Sequence, residues 1–252
     1  MLVVSFPADA FGTNCYVVAP AEGERCLVID PGIGIERQLD EALARHRVEP
    51  AAVLLTHGHL DHTFSVAPVC GARGITAYVH PDDREMLADP AKGLSADLKS
   101  LFGGRLEYSE PDDVAELVDG QRLEIAGVEI TVNHAPGHTG GSVMFHGLSP
   151  SGGRNDAEPR GIVFTSAAGK RTVDTPLCFS GDVLFAGSIG RTDLPGGDEE
   201  AMWASLRDKV LPLPDETLVL PGHGPTTTIG RERASNPYLL AVAGRPAPTR
   251  GW

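Results

Sequence analysis

No stretch of the 252-residue sequence is long and apolar enough to suggest a membrane span, for which about 20 consecutive apolar residues are needed. The opening segment Met1-Leu2-Val3-Val4-Ser5-Phe6-Pro7 lacks the basic flank and the long apolar core of a secretory signal, so none is expected. Cysteine is scarce. The four present, Cys15, Cys26, Cys70 and Cys178, show no paired spacing, which argues against an extracellular disulfide framework and for a reducing, cytoplasmic compartment. Basic residues are also in short supply: 21 Lys and Arg face 34 Asp and Glu, a net charge of -13 that opposes nucleic-acid binding. With 41% hydrophobic residues, the chain can bury one sizeable core or two similar halves sharing one.

Histidine, by contrast, is concentrated. The run Thr56-His57-Gly58-His59-Leu60-Asp61-His62 follows the apolar segment Ala51-Ala52-Val53-Leu54-Leu55, so three imidazoles and a carboxylate crowd the point where a buried strand should give way to a loop. Imidazole nitrogen and carboxylate oxygen suit zinc, iron or manganese. Alternate spacing lets His57 and His59 point to one side while Asp61 and His62 turn toward a second point, a geometry for two adjacent ions. A polar loop whose histidines only hydrogen-bond is the alternative, and four ligand-type residues packed so closely disfavour it.

Three more strand ends carry a ligand-type residue beside glycine: His138 in Pro136-Gly137-His138, Asp182 in Gly181-Asp182-Val183, and His223 in Gly222-His223-Gly224. Glycine there lets the backbone approach a compact site. Five histidines and two aspartates are what two metals sharing a carboxylate require. Elsewhere, Ile35–His46, Pro81–Ala88 and Glu199–Val210 have helical character. Strands are expected at Asn14–Val18, Arg25–Asp30, Ala51–Thr56, Arg122–Ile125, Val128–His134, Ser142–Phe145, Ile162–Thr165, Leu177–Ser180 and Leu218–Leu220.

In this order His57, His59, Asp61, His62, His138, Asp182 and His223 resemble the His-x-His-x-Asp-His, His, Asp, His pattern of the metallo-β-lactamase superfamily. The stretches Gly181–Phe185, Gly190–Leu194 and Thr227–Tyr238 are similar to its glyoxalase II-like (hydroxyacylglutathione hydrolase-like) members and to the related persulfide dioxygenases. The resemblance covers nearly the whole chain. It implies an α/β fold, the αββα sandwich of the metallo-β-lactamase fold, as a single domain over residues 1–252. It further implies a first metal on His57, His59 and His138, a second on Asp61, His62 and His223, and Asp182 between them. Two divalent metal ions are expected, zinc first, with iron or manganese as alternatives.

Two segments depart from the compact family pattern. Gly147–Gly161, rich in Ser, Gly and Pro, reads as a loop, and Ile162–Thr165 with Ser166–Pro176 reads as an inserted hairpin. It is a surface elaboration in the simpler reading, or a flap that brings Lys170 and Arg171 to an anionic substrate. Only 29 residues follow His223, too few for the helical C-terminal domain of longer glyoxalase II enzymes.

Two dications held by only two anionic ligands leave net positive charge, and such a centre generates a metal-bound hydroxide near neutral pH. Asp61 and Asp182 would orient this hydroxide as well as hold metal. A thioester suits it better than an amide, because a thiol of pKa about 8.5 leaves as thiolate without a strong proton donor. Arg191, in the loop Gly190-Arg191-Thr192-Asp193, is the first candidate for substrate binding through an anionic group; an internal tether to Asp193 is its equal alternative. Cys178 is a remote alternative nucleophile, and His46, His80, His134 and His146 read as structural. The expected partner is a small-molecule thioester such as S-lactoylglutathione, with no nucleic acid and no membrane; the oligomeric state stays open. The competing functions are an iron-dependent persulfide dioxygenase and a noncatalytic metal-binding protein. A β-lactamase or a nuclease fits the Gly-Arg-Thr-Asp loop poorly.

Overall fold

A computed structural model describes residues 1–95, 99, 109–150, 161–166 and 169–244, with the side chains of 148–150 set aside. Strands β1 (Leu2–Pro7), β2 (Asn14–Ala19) and β3 (Arg25–Ile29) pair antiparallel in sequence order, and helix α1 (Glu36–His46) crosses back to β4 (Glu49–Leu54), parallel to β3. The one-turn helix α2 (Leu60–Thr63) and α3 (Val66–Gly71) lead to β5 (Thr76–Val79), and α4 (Pro81–Ala88) precedes β6 (Val114–Glu116), both strands again parallel. A second sheet starts with the antiparallel strands β7 (Arg122–Ile125), β8 (Val128–His134) and β9 (Val143–Pro150).

The hairpin β10 (Ile162–Ser166) and β11 (Gly169–Val173) returns to the first sheet, with β10 parallel to β1. Strand β12 (Leu177–Gly181) rejoins the second sheet against β9. It is followed by the short pair β13 (Leu184–Phe185) and β14 (Ser188–Ile189), and by α5 (Glu199–Ser205), which runs on into a π-helical turn at Leu206–Val210. Strands β15 (Leu218–Pro221) and β16 (Thr227–Thr228) complete that sheet, and α6 (Ile229–Ser235) and α7 (Pro237–Val242) follow.

The layering follows from the two-residue period of a strand. In β2, Tyr16 and Val18 enter the core between the sheets, while Cys15, Val17 and Ala19 face the other way, against Leu39 and Leu43 of α1. In β12 and β15, Leu177, Phe179, Leu218 and Leu220 enter the central core, while Cys178 and Val219 meet Met202 of α5, Leu206 and Leu239 of α7. Two sheets packed face to face, each backed by helices on its outer side, form the four-layer α/β sandwich of the metallo-β-lactamase fold.

The periodic elements fall where the sequence places them: α1 starts one residue late, α4 matches at both ends, and the 199–210 helix changes to π geometry at Leu206. The 162–176 segment forms the expected hairpin, but as the edge of the first sheet. Strand β9 runs to Pro150, into the segment read as a loop, because its 128–134 partner continues to pair with it. The rest of that segment, 151–160, lies outside the described residues.

Phe179 and Tyr16 meet edge to face across the central core, centroids 5.0 Å apart, joining the two sheets. Phe179→Ala should cost about 3–5 kcal/mol by opening a cavity there. Equilibrium urea unfolding checks this, and an unchanged midpoint contradicts it.

Candidate metal centre

The seven ligand-type residues belong to four loops that the two sheets bring together. His57 and His59 follow β4 and continue into α2, whose single turn carries Asp61 and His62 on the opposite side of the chain. His138 follows β8, Asp182 follows β12, and His223 follows β15. One donor atom each from His57, His59 and His138 lies within 4.8 Å of the others, and the same holds for Asp61, His62 and His223. Asp182 joins the two groups: its Oδ2 lies 3.5 Å from His138 Nε2 and 3.6 Å from His223 Nε2.

The hydrogen bonds on the outer side of the rings fix which nitrogen each ring turns inward. His62 Nδ1 donates to Asp30 Oδ2 at 3.0 Å, and His138 Nδ1 donates to the Arg191 carbonyl at 2.8 Å. In the neutral form that a metal ligand needs, a ring has one hydrogen, so each of these two then presents a bare Nε2 to the centre. The bare His138 Nε2 faces His59 Nδ1 at 2.9 Å, and the bare His62 Nε2 faces His223 Nε2 at 3.2 Å. His57 Nε2 and Asp182 Oδ1 are buried without a hydrogen-bond partner. Buried lone pairs that converge in this way fit divalent cations and cost free energy without them.

The electrostatics divide the site: two rings are held neutral, while the carboxylates favour a proton on His62, the position a cation would take over. Burial, reinforced by neighbouring imidazoles, holds His57 far below the usual histidine range and pushes His59 down to about 3, so both are neutral as metal ligands must be. Burial also opposes charge on His62, Asp61 and Asp182, but there the opposite charges win. Asp61, Asp182 and Asp30 raise His62, and His62 foremost holds the Asp61 and Asp182 carboxyls below the ordinary carboxylate range.

Three residues outside the ligand pattern hold the loops in place. Asp30, in the left-handed region at φ 50°, accepts from Thr56 N (2.8 Å) and Thr56 Oγ1 (2.7 Å) besides His62. Asp83 of α4 accepts from Gly58 N (2.8 Å) in the first ligand loop and from Thr139 Oγ1 (2.7 Å) and Gly141 N (2.8 Å) in the His138 loop. Thr13 Oγ1 donates to Asp61 Oδ2 at 2.9 Å. Asp30 had a readable signal, since it ends an apolar strand before Pro31-Gly32. Asp83 had none, because an acid in the first turn of a helix is ordinary.

Close approach explains two glycines. A Cβ on Gly222 would stand 2.2 Å from Asp182 Oδ1, and one on Gly190 only 1.8 Å from the Asp182 carbonyl oxygen. Arg191 enters the centre through its carbonyl on His138, while its exposed guanidinium makes a bidentate pair with Asp193, 2.7 Å at each contact. Cys178 faces the helical layer, and burial pushes its thiol up to about 12, which removes it as a nucleophile. His80 and His134 stack with ring centroids 3.9 Å apart, and with Asp82 they bring one donor atom each within 4.8 Å of one another.

A centre of this composition at the mouth of a four-layer sandwich defines a metal-dependent hydrolase. The chain belongs to the metallo-beta-lactamase superfamily, whose profile matches residues 8–150. It is 43% identical to an uncharacterized protein of Mycobacterium tuberculosis over 96% of this chain and 100% of that protein. It is 31% identical to the hydroxyacylglutathione hydrolase GloC of Haemophilus influenzae, over 95% of this chain and 98% of that enzyme. Among solved structures, the BLEG-1 B3 metallo-beta-lactamase superposes with TM-score 0.74 at 35% identity, covering 94% of this chain and 99% of that one. The protein TTHA1623 in a di-iron-bound form gives TM-score 0.68 at 36% identity, covering 93% and 99%.

Removing the shared carboxylate by Asp182→Asn should lower metal content in both donor groups, whereas His223→Ala should deplete mainly the second. Asp83→Asn, which touches no ligand atom, should weaken metal affinity about 10- to 100-fold by releasing the two ligand loops. Metal per chain and competition with a chelator measure all three, and full occupancy in Asp182→Asn contradicts the shared position.

Proposed function

We propose that the protein is a thioester hydrolase of glyoxalase II type, acting on S-2-hydroxyacylglutathione or a similar low-molecular-weight thiol conjugate. The observation that carries this reading is the complete second donor group, Asp61, His62 and His223, set beside the first and joined to it through Asp182. Similarity to GloC along the whole chain supports the choice of substrate class. Two divalent ions are the cofactors in this reading, zinc first. Iron is the alternative, in keeping with the di-iron form of TTHA1623.

When bound, the ions supply Lewis acidity toward the acyl carbonyl and acidify water. The chain's own residues set the geometry. Asp61 is held by the Thr13 hydroxyl and stays ionised beside His62, so its carboxylate can hold metal and orient a water by accepting its hydrogen bond. Asp182, ionised for the same reason, faces both donor groups and aligns that water between them. The leaving group needs no acid, because a thiol of pKa about 8.5 departs as thiolate. Arg191 shapes the His138 loop through its carbonyl and its Asp193 pair, and contact with substrate requires its guanidinium to leave Asp193.

Two related activities are outcomes of the same experiment. A persulfide dioxygenase requires a redox-active iron and oxygen, and a β-lactamase must protonate an amide nitrogen on departure. The metal-loaded protein should cleave S-lactoylglutathione under strict anaerobiosis and release free thiol, with little turnover of a β-lactam. Persulfide-dependent oxygen uptake with one iron per chain, and no anaerobic thioester cleavage, would replace this reading with the dioxygenase.

Arg191→Ala divides the two roles of that residue. A fall in kcat together with melting temperature, at constant KM, marks a loop tether; a rise in KM with kcat held marks lost substrate binding. The geometry leads us to expect the tether.

A further inference from the structure

The hairpin that departs from the compact family pattern forms one wall of a cavity beside the metal centre. The cavity measures about 380 Å³, within the range of small-molecule sites. Its walls come from β1 and β2 (Ser5, Asn14, Tyr16), from β10 and β11 (Phe164, Lys170, Arg171), and from Gly224-Pro225-Thr226. That last segment follows directly on the ligand-type residue His223. Three residues of extended chain reach at most about 11 Å, which is also the reach of a tripeptide. The segment is fastened in place: Asn14 Nδ2 donates to the Pro221 and Gly224 carbonyls at 3.0 and 2.9 Å.

Charge singles this cavity out. The chain carries 13 more acidic than basic residues. Arg84, Arg191 and Arg233 each pair with a carboxylate. Lys170 and Arg171 are adjacent in sequence and line one cavity, and among the described residues neither has a carboxylate within ion-pair distance. Glu22 feels the Lys170 charge but lies beyond ion-pair distance of it and hydrogen-bonds His46 Nδ1 at 3.0 Å. Arg171 is also positioned in advance. Its guanidinium lies over the Phe164 ring, 5.0 Å from the centroid, and Nη2 donates to Thr226 Oγ1 at 3.4 Å. A guanidinium placed over a ring face keeps N–H donors free for an anion.

We infer that this cavity, between the β10–β11 hairpin and the segment after His223, is the subsite for a carboxylate-bearing portion of the substrate, with Lys170 and Arg171 as its anion-binding residues. The reacting end of that substrate rests on the thioester reading; the anion subsite does not. For a glutathione conjugate, the sulfur sits at the metal centre and a terminal carboxylate reaches the hairpin. The adjacent cations then determine specificity, favouring acyl thiols that carry an anionic tail over neutral ones.

The test combines binding and turnover in the metal-loaded protein. Calorimetric titration with S-methylglutathione, which has no acyl group to cleave, should show binding to the wild type and at least about tenfold weaker binding to Lys170→Ala/Arg171→Ala. Arg171→Lys, which keeps the charge, should recover part of it. In turnover, the kcat/KM ratio of S-lactoylglutathione to the neutral S-lactoyl-N-acetylcysteamine should fall about tenfold in the double variant. No binding to the wild type, equal affinity in both proteins, or an unchanged ratio would each overturn the subsite. Binding that depends on the two cations in a wild type that cleaves neither thioester would keep the subsite and reject the thioesterase.

Discussion

Burial of four imidazoles and the Asp182 carboxylate around one small space, with His223 and Asp61 half-buried at its rim, is the constraint on which the rest of this structure depends. Such groups are tolerated in a protein interior only when each finds a partner, and here the lone pairs that face inward have none but one another. The outward-facing atoms, in contrast, are satisfied by Asp30 and the Arg191 carbonyl, which leaves the inward lone pairs no freedom to turn away. The site is thus prepared for dications through what it refuses to other partners. The glycines at 190 and 222 belong to the same constraint, because any side chain there would occupy space that Asp182 needs.

The two sheets are interdependent at this point. Asp83 stands on a helix of the first sheet's half, yet it binds backbone N–H groups in ligand loops from both halves. Val143 N donates to the Thr56 carbonyl at 2.8 Å across the same seam, and Thr13 bridges to His223 on the far side. Metal binding and packing of the sandwich are therefore coupled: an ion holds donors from both sheets, and loss of the central core would separate them.

Much of this was legible in the sequence. The ligand-type residues stand where period-two apolar runs meet glycine, and the same periodicity marks most of the strands and the longer helices. What escaped lacks either a period or a chemical signature. Strand β5 is four residues long and β6 three, too short to show alternation. Helix α2 is a single turn whose residues are dominated by their ligand chemistry. The supporting carboxylate Asp83 looks like any helix-start acid until the fold brings the His138 loop over it. The pairing of β10 with β1 joins residues 161 apart, which no local pattern encodes. Of the two roles the sequence left open for the Arg191 guanidinium, the pair with Asp193 two positions on is the one the structure shows.

The pairing of β10 with β1 also bears on the order in which the molecule assembles. β1 stands directly before β2 in the chain, so its hydrogen bonds to β2 can form as soon as these two neighbouring segments are made. Its other edge meets Val163, Phe164 and Thr165, so that side stays open until a segment 161 residues further along the chain has been made. Contacts so distant along the chain pay a large loop-closure entropy before they return any energy, and they slow folding. An apolar strand waiting with one free edge is also the segment most exposed to pairing with another chain in the meantime. The hairpin that walls the anion cavity thus also covers the second edge of β1, long after β2 has covered the first.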